Sequence, residues 1–192
     1  MRVIAGTVGG MRLEVPRSRV RPTMDRVKAA IFSGLGDDVI GARILDLFAG
    51  TGAMGIEALS RGANSGLFVE NDRAAVAAIE LNLSKTRLPG RICQRDVFSF
   101  LRQSHAGEGF DIIFADPPYE KTKEGKAFTE LLVSSPELAA MLLPSGTFVL
   151  EKRPSEPMPK TNLWRTVRAR AYGGTEVLFL GRTGLPLGTV SE

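Results

Sequence analysis

The chain has one cysteine, one histidine and one tryptophan in 192 residues. A single cysteine, Cys93, excludes an intramolecular disulfide, and its apolar surroundings mark it as a small core residue. Cys93 and His105 supply too few ligands for a metal centre, so none is expected. No apolar run is long enough to cross a bilayer, and Met1-Arg2-Val3-Ile4-Ala5-Gly6 does not open a signal peptide. The sequence therefore reads as a cytoplasmic protein with no membrane partner, and internal repeats are absent. The length suits one sizeable core, and a monomer is expected.

Positive charge is scarce in the middle of the chain. The formal net charge is +4, yet residues 1–28 alone carry +5 and residues 151–172 carry +4, which leaves the remainder at −5. Basic segments flanking an acidic core suggest a polyanionic partner.

Residues 2–6 and 11–15 read as the two arms of a hairpin around Gly9-Gly10. A looser stretch, 16–22, carries Arg17, Arg19 and Arg21. Thr23 suits a helix N-cap and Asp25 the first turn, and Val27, Ala30, Ile31 and Leu35 recur at helical spacing up to Gly36. Strand and helix patterns then alternate. Strands are expected over 44–48, 67–70, 91–94, 110–115 and 147–151. Helices are expected over 54–61, 73–85, 97–102 and 126–143, the last interrupted near Pro136. Such alternation builds a parallel sheet covered on both faces. Residues 164–172 and 175–180, joined by Gly173-Gly174, form an antiparallel pair. The fold class is therefore α/β. It is a Rossmann-like, mostly parallel sheet closed by an antiparallel C-terminal hairpin, the outline of a class I methyltransferase, behind a small N-terminal hairpin and helix. The expected organisation is an N-terminal hairpin and helix extension over 1–36, a methyltransferase-like domain over 37–182 and a flexible tail over 183–192.

Gly50-Thr51-Gly52-Ala53-Met54-Gly55 follows the first strand and opens a helix, the arrangement of a nucleotide-binding turn. Glu70 falls twenty positions after Gly50, at the tip of the second strand, where a carboxylate can accept both ribose hydroxyls. NAD is the obvious first candidate, but Asp46 opposes it. A carboxylate beside a pyrophosphate is repelled, whereas the sulfonium and ammonium of S-adenosylmethionine are attracted. Asp96 ends the third strand, placed to meet the adenine amine. Phe48 beside the glycines, Asn71 after Glu70 and Val97 after Asp96 complete the expected cofactor set.

The fourth strand feeds Asp116-Pro117-Pro118-Tyr119. Two prolines stiffen the loop and fix the direction of its carbonyls. Asp116 and the Pro117 carbonyl can each accept one N–H of a base amine while Tyr119 stacks on the ring, so all three are candidate catalytic residues. Guanine N2 and adenine N6 both present such an amine, and this loop does not separate them. A non-catalytic RNA-binding module with a nucleoside pocket is a further reading, which the intact Asp116-Pro117 pair opposes.

Asp46-Leu47-Phe48-Ala49-Gly50-Thr51-Gly52 together with Asp116-Pro117-Pro118-Tyr119 resembles the methyltransferases that act on exocyclic base amines. The N-terminal residues Arg2-Val3-Ile4-Ala5-Gly6, Arg12-Leu13, Pro16 and Arg21-Pro22-Thr23-Met24-Asp25-Arg26-Val27, with Tyr172-Gly173 and Thr175 near the other end, resemble the RsmD family. That resemblance runs from Arg2 to about Leu180. It implies transfer of a methyl group from S-adenosylmethionine to N2 of one guanine in bacterial 16S rRNA, within the small ribosomal subunit or an assembly intermediate. The family usually has basic or aromatic residues at the hairpin tip, where this chain has Thr7-Val8-Gly9. With the charge pattern, the resemblance implies RNA contacts at Arg2, Arg12, Arg17, Arg19, Arg21, Thr23, Arg26 and Lys28.

Overall fold

The computed structural model describes residues 1–15, 24–103, 109–119 and 127–184. Arg17, Arg19, Arg21, Thr23, His105 and most of the expected tail lie outside the described residues. Seven strands form one sheet: β1 (Arg43–Leu47), β2 (Ser65–Glu70), β3 (Gly90–Gln94), β4 (Phe110–Ala115), β5 (Leu142–Lys152), β6 (Trp164–Tyr172) and β7 (Thr175–Arg182). Their order across the sheet is β3-β2-β1-β4-β5-β7-β6. β1 to β5 are parallel, and β7 pairs antiparallel with both β5 and β6. The expected sheet, with its antiparallel closing hairpin, is the one observed.

Alternation along the strands builds two cores. Ile44, Phe68, Ile112, Phe114, Val149 and Phe179 face one side. α1 (Met24–Leu35), α2 (Ala53–Ser60) and α3 (Arg73–Thr86) cover that side through Ile31, Phe32, Ile56, Leu59 and Ile79. Leu45, Leu47, Ile113, Phe148 and Leu178 face the other. α4 (Val97–Leu101), α5 (Phe128–Val133) and α6 (Pro136–Met141) cover it through Phe100, Leu101, Leu132, Val133 and Leu138. Trp164 extends this second core, and its indole N–H donates to the Val133 carbonyl at 2.9 Å. β5 begins five residues earlier than its β-branched and aromatic run indicates, because α6 leads straight into it. A single 3-10 turn, Gly36–Val39, links α1 to β1.

The N-terminal segment is a looser structure than a regular hairpin. One bridge, Arg2 to Arg12, joins its arms, supported by Val3 N–H to Met11 O at 2.9 Å and Gly10 N–H to Val3 O at 2.8 Å. Its backbone is paired instead with side chains of α2 and α3. The fully buried Glu57 carboxylate accepts Ile4 N–H at 2.7 Å and Ala5 N–H at 3.1 Å. It also accepts Arg61 Nε at 2.8 Å and lies 3.1 Å from Lys28 Nζ. Ser60 Oγ donates to Ala5 O at 2.6 Å and accepts from Val8 N–H at 3.2 Å. Asn82 pairs with both backbone groups of Glu14, at 2.7 and 3.1 Å. Gly6 is required where this segment crosses α2, because a Cβ there would lie 1.9 Å from the Ser60 carbonyl oxygen, and its φ is +87°. Val3 and Leu13 join the same core as Ile44.

Lys28 departs from the sequence expectation. It is 3 % exposed, its ammonium donates to Arg2 O at 2.6 Å, and it is paired with Glu57. A cation consumed by a buried carboxylate holds the extension to the core and does not reach an RNA phosphate. Removing one partner of a buried pair leaves the other uncompensated and costs about 3–5 kcal/mol. Glu57→Gln should lower the unfolding free energy by about that much. Lys28→Met added to it should recover part of the loss, since it removes the orphaned charge. Denaturant titration of the two variants measures both effects; a Glu57→Gln loss within error of zero would contradict this role.

Candidate active site at the carboxyl edge of the sheet

β1, β2, β4 and β5 all end at one edge, and each brings a carboxylate there or close to it. Asp46 lies on β1, between Phe68 of β2 and Phe114 of β4 in register. It is 4 % exposed, and its Oδ2 accepts Gly55 N–H at 2.9 Å. Burial pushes its carboxyl up to about 8; the Gly55 N–H opposes that, and the negative charges of Glu70 and Asp116 add to it. Glu70 ends β2 and is also buried. One of its oxygens accepts Gly50 N–H at 2.8 Å, and the other accepts Asn71 and Asp72 N–H, each at 2.9 Å. The carboxylate expected to meet a ribose thus also ties the glycine turn to the start of α3.

The glycine turn has the form its spacing indicates. A Cβ on Gly55 would lie 2.4 Å from the Phe68 ring, so the third glycine permits close packing of α2 on β2. A Cβ on Gly50 would meet only the Phe48 carbonyl, at 3.9 Å, so the first glycine faces open space. Phe48 itself has φ +56°, a conformation uncommon for a bulky residue. Its ring joins Phe98 and Phe128 in an aromatic cluster, with centroids 5.9 to 6.2 Å apart. Asp96 is exposed and caps α4, accepting Ser99 N–H at 2.8 Å. Val97 behind it is buried.

Asp116 is exposed just beyond β4, Pro117 is buried, and Tyr119 is half-buried. The Tyr119 hydroxyl lies 3.2 Å from Thr175 Oγ1 on β7, and the Arg153 guanidinium sits 4.7 Å from the ring centroid. Glu151, on β5, completes the edge. Burial raises its pKa, and the charges of Asp116 and Asp46 raise it further.

The structure therefore gathers Asp46, Phe48, Gly50, Gly52, Glu70, Asn71, Asp96, Val97, Asp116, Pro117 and Tyr119 at one edge of the sheet. Sequence reasoning missed Glu151, Arg153, Phe98 and Phe128. Glu151 was open to detection by the rule that found its neighbours, a carboxylate at a strand end. Arg153, Phe98 and Phe128 carry no local signal; only their packing against Tyr119 and Phe48 marks them. Of the expected RNA contacts, Arg2, Arg12 and Arg26 are exposed, and Arg2 Nε lies 4.0 Å from Asp25. Among the described residues no helix is long and apolar enough to cross a membrane, and no cluster of metal-ligating side chains is found.

The raised pKa of Asp46 sets a pH dependence. Unfolding returns the carboxyl from about 8 to its ordinary 3.8, so between these values the folded chain holds the extra proton. Its contribution to stability is complete below the lower value and is lost as pH rises through the upper one. Denaturant titrations of the cofactor-free protein should show stability falling across this window. Asp46→Asn, which keeps the acceptor for Gly55, should lessen the fall, the remainder coming from Glu151, whose pKa is raised as well. A profile indifferent to the substitution would rule out Asp46 as its source.

Known proteins resemble this chain in sequence and in fold. The model of the family described as "Conserved hypothetical protein 95" matches residues 1–181. The Bacillus subtilis protein YlbH, provisionally named an rRNA methyltransferase, is 37% identical over 190 residues, covering 96% of this chain and 100% of its own. Ribosomal RNA small subunit methyltransferase D of Escherichia coli is 39% identical over 123 residues, covering 63% of this chain and 61% of its own. Among solved structures, a Thermus thermophilus 16S rRNA N2 methyltransferase, RsmC, in complex with AdoMet and guanosine, superposes with a TM-score of 0.65 at 26% identity. That match covers 87% of this chain and 44% of the other. The chain belongs to the conserved hypothetical protein 95 family, the RsmD family.

Proposed function

We propose that this chain transfers a methyl group from S-adenosylmethionine to the exocyclic N2 amine of a guanine in bacterial 16S rRNA. The observation that carries the reading is the placement of Asp116-Pro117 directly beside the glycine turn and Asp46, at the end of the strand next to β1. The likeness to relatives named for small-subunit rRNA, and to an N2 methyltransferase holding AdoMet and guanosine, supports guanine over an adenine N6 amine.

The residues present fit such a cofactor. Open space above Gly50 leaves room for a ligand, and the buried carboxylates around it favour a cationic one over a pyrophosphate. Asp46 and Glu70 would hold it near the glycine turn, with Asp96 and Val97 at the adenine and Phe48 and Asn71 alongside. When bound, S-adenosylmethionine supplies an electrophilic methyl carbon on a sulfonium centre.

The chain's own residues prepare the amine. Its lone pair is delocalised into the guanine ring and makes a poor nucleophile. Asp116 and the Pro117 carbonyl each accept one N–H, which draws the nitrogen toward tetrahedral geometry and aims the lone pair. Positioning of this kind supplies up to about 7–11 kcal/mol in well-oriented systems, and Asp116 adds electrostatic stabilisation as the nitrogen becomes positive. Tyr119 replaces the stacking the base loses on leaving its helix. Its ring is backed by Arg153 and its hydroxyl tied to Thr175, so the platform is held before the base arrives. Arg2, Arg12, Arg17, Arg19, Arg21, Thr23 and Arg26 would position the RNA through its phosphates, without reading sequence.

The deciding experiment is transfer of labelled methyl to 16S rRNA, or to small subunits lacking the modification, with the modified nucleoside identified. N2-methylguanosine is the expected product; N6-methyladenosine would replace this reading with the adenine one. Asp116→Ala should lower the single-turnover rate by roughly a hundredfold or more, with cofactor affinity held within a few-fold. A rate close to the parent's would remove Asp116 from the amine.

Cofactor binding checks the other half of the site. Glu70→Ala should weaken it by about 1.5–3 kcal/mol through lost charge-assisted hydrogen bonds. Unchanged affinity by calorimetry would place the ribose elsewhere.

A further inference from the structure

β6 is the outermost strand, paired only with β7 among the described residues. It carries Arg165, Arg168 and Arg170, all exposed. In a regular strand Arg165 would face away from the other two, because successive side chains alternate. Here the register shifts between Thr166 and Arg168. Arg165 lies opposite Gly181, Arg168 opposite Phe179 and Arg170 opposite Val177, three alternate positions of β7. Cross-strand partners share a face, so the irregularity puts all three guanidinium groups on one side. It is the side α1 covers farther in, since Phe179 and Val177 belong to that core. Bulges re-aim side chains in this way.

The three cations are also available. Among the described residues no carboxylate forms an ion pair with any of them. Arg168 is held ready: its Nη1 donates to Gly34 O at 3.2 Å, and its guanidinium lies 5.5 Å from the Phe179 centroid. A cleft of about 230 Å³ opens between α1 and β6, lined in part by Ser33, Gly34, Arg168, Arg170 and Tyr172. The row leads to the active site. Tyr172 is paired with Thr175, and Thr175 holds the Tyr119 hydroxyl.

We propose that Arg165, Arg168 and Arg170 form a phosphate track on β6, distinct from the N-terminal arginines, that carries the RNA strand flanking the target base up to Tyr119. The proposal rests on the reading of the protein as an RNA methyltransferase. A linear row of guanidinium groups that have no carboxylate partner among the described residues, Arg168 and Arg170 each donating only to a backbone carbonyl, matches the regular negative charge of a single strand. Arginines on an edge strand also discourage pairing with another chain's strand, so solvated, purely protective charge is the competing account.

The test uses the full chain and a single-stranded RNA oligonucleotide of mixed sequence, titrated across a salt series. The variant R165Q/R168Q/R170Q should bind RNA at least tenfold more weakly at low salt. Its log–log salt slope should be shallower by about 2, from three contacts at about 0.7 each. R165K/R168K/R170K should keep most of the slope, because a phosphate requires only the charge. Thermal midpoint and S-adenosylmethionine affinity should match the parent in both. Arg168 also packs on Phe179, so R165Q/R170Q serves as a second probe that leaves that contact intact, with an expected slope change of about 1.4. Unchanged affinity and slope in both glutamine variants would overturn the track, as would a parent chain that binds no RNA. A parent that methylates rRNA beside unaffected variants sinks only this inference. A parent that binds RNA through the track yet methylates no rRNA sinks only the functional reading.

Discussion

The sheet's parallel register forces like charges together. Strands that run the same way end at the same edge, so Asp46, Glu70, Asp116 and Glu151 converge there from neighbouring strands. Charges of one sign in a poorly solvated site repel strongly. The protein manages the repulsion in two ways. Glu70 accepts three backbone N–H groups from the turns around it. Asp46 has one such donor and holds its proton up to about 8 instead. Those same donors are the glycine turn and the start of α3, so the cluster shapes the crevice as well as charging it. A site arranged like this is strained toward accepting a cation, and that favours a ligand with a sulfonium and an ammonium over one with phosphates.

Most of the fold was legible because its signals are local. Alternating apolar runs and helical periodicities gave every strand, and Gly173-Gly174 marked the closing hairpin. The glycine turn was legible from its spacing: Gly50 and Gly52 take positive φ, and Gly55 lets α2 pack on Phe68 of β2. The side chains around Tyr119 were not. Arg153 and Thr175 reach it from just past the end of β5 and from β7, strands that meet only through sheet order. The aromatic cluster of Phe48, Phe98 and Phe128 likewise joins three elements with no spacing rule between them. The hairpin expected at the N-terminus was read from strand-like composition, but its backbone groups pair with Glu57, Ser60 and Asn82, so side chains of α2 and α3 replace most of the ladder.

Charge counting was the least reliable guide at single positions. The +5 of residues 1–28 includes Lys28, which is spent on Glu57 inside the protein. Sequence gives the sign of a side chain but not its partner, and a helical position facing a buried carboxylate looks the same as one facing solvent. The basic segment near the other end carries the opposite lesson. Arg165, Arg168 and Arg170 have the spacing of a strand with two faces, and only the register shift in β6 unites them.

The distribution of charge that results has a consequence for how a polyanion meets this molecule. The crevice is acidic, so it would repel an RNA phosphate from the proposed site. Exposed arginines lie outside it, on the N-terminal segment and on β6. On the proposed reading, a strand drawn to those arginines would be held at the rim, with a neutral base entering between the carboxylates. The same electrostatics that favour a cationic cofactor would, on that reading, favour extrusion of a base over passage of the backbone. The charges of Glu70 and Asp116 would then make the pocket acceptable to a purine ring and costly to a phosphate, while Asp46, which holds its proton up to about 8, would add its charge only as a cation binds.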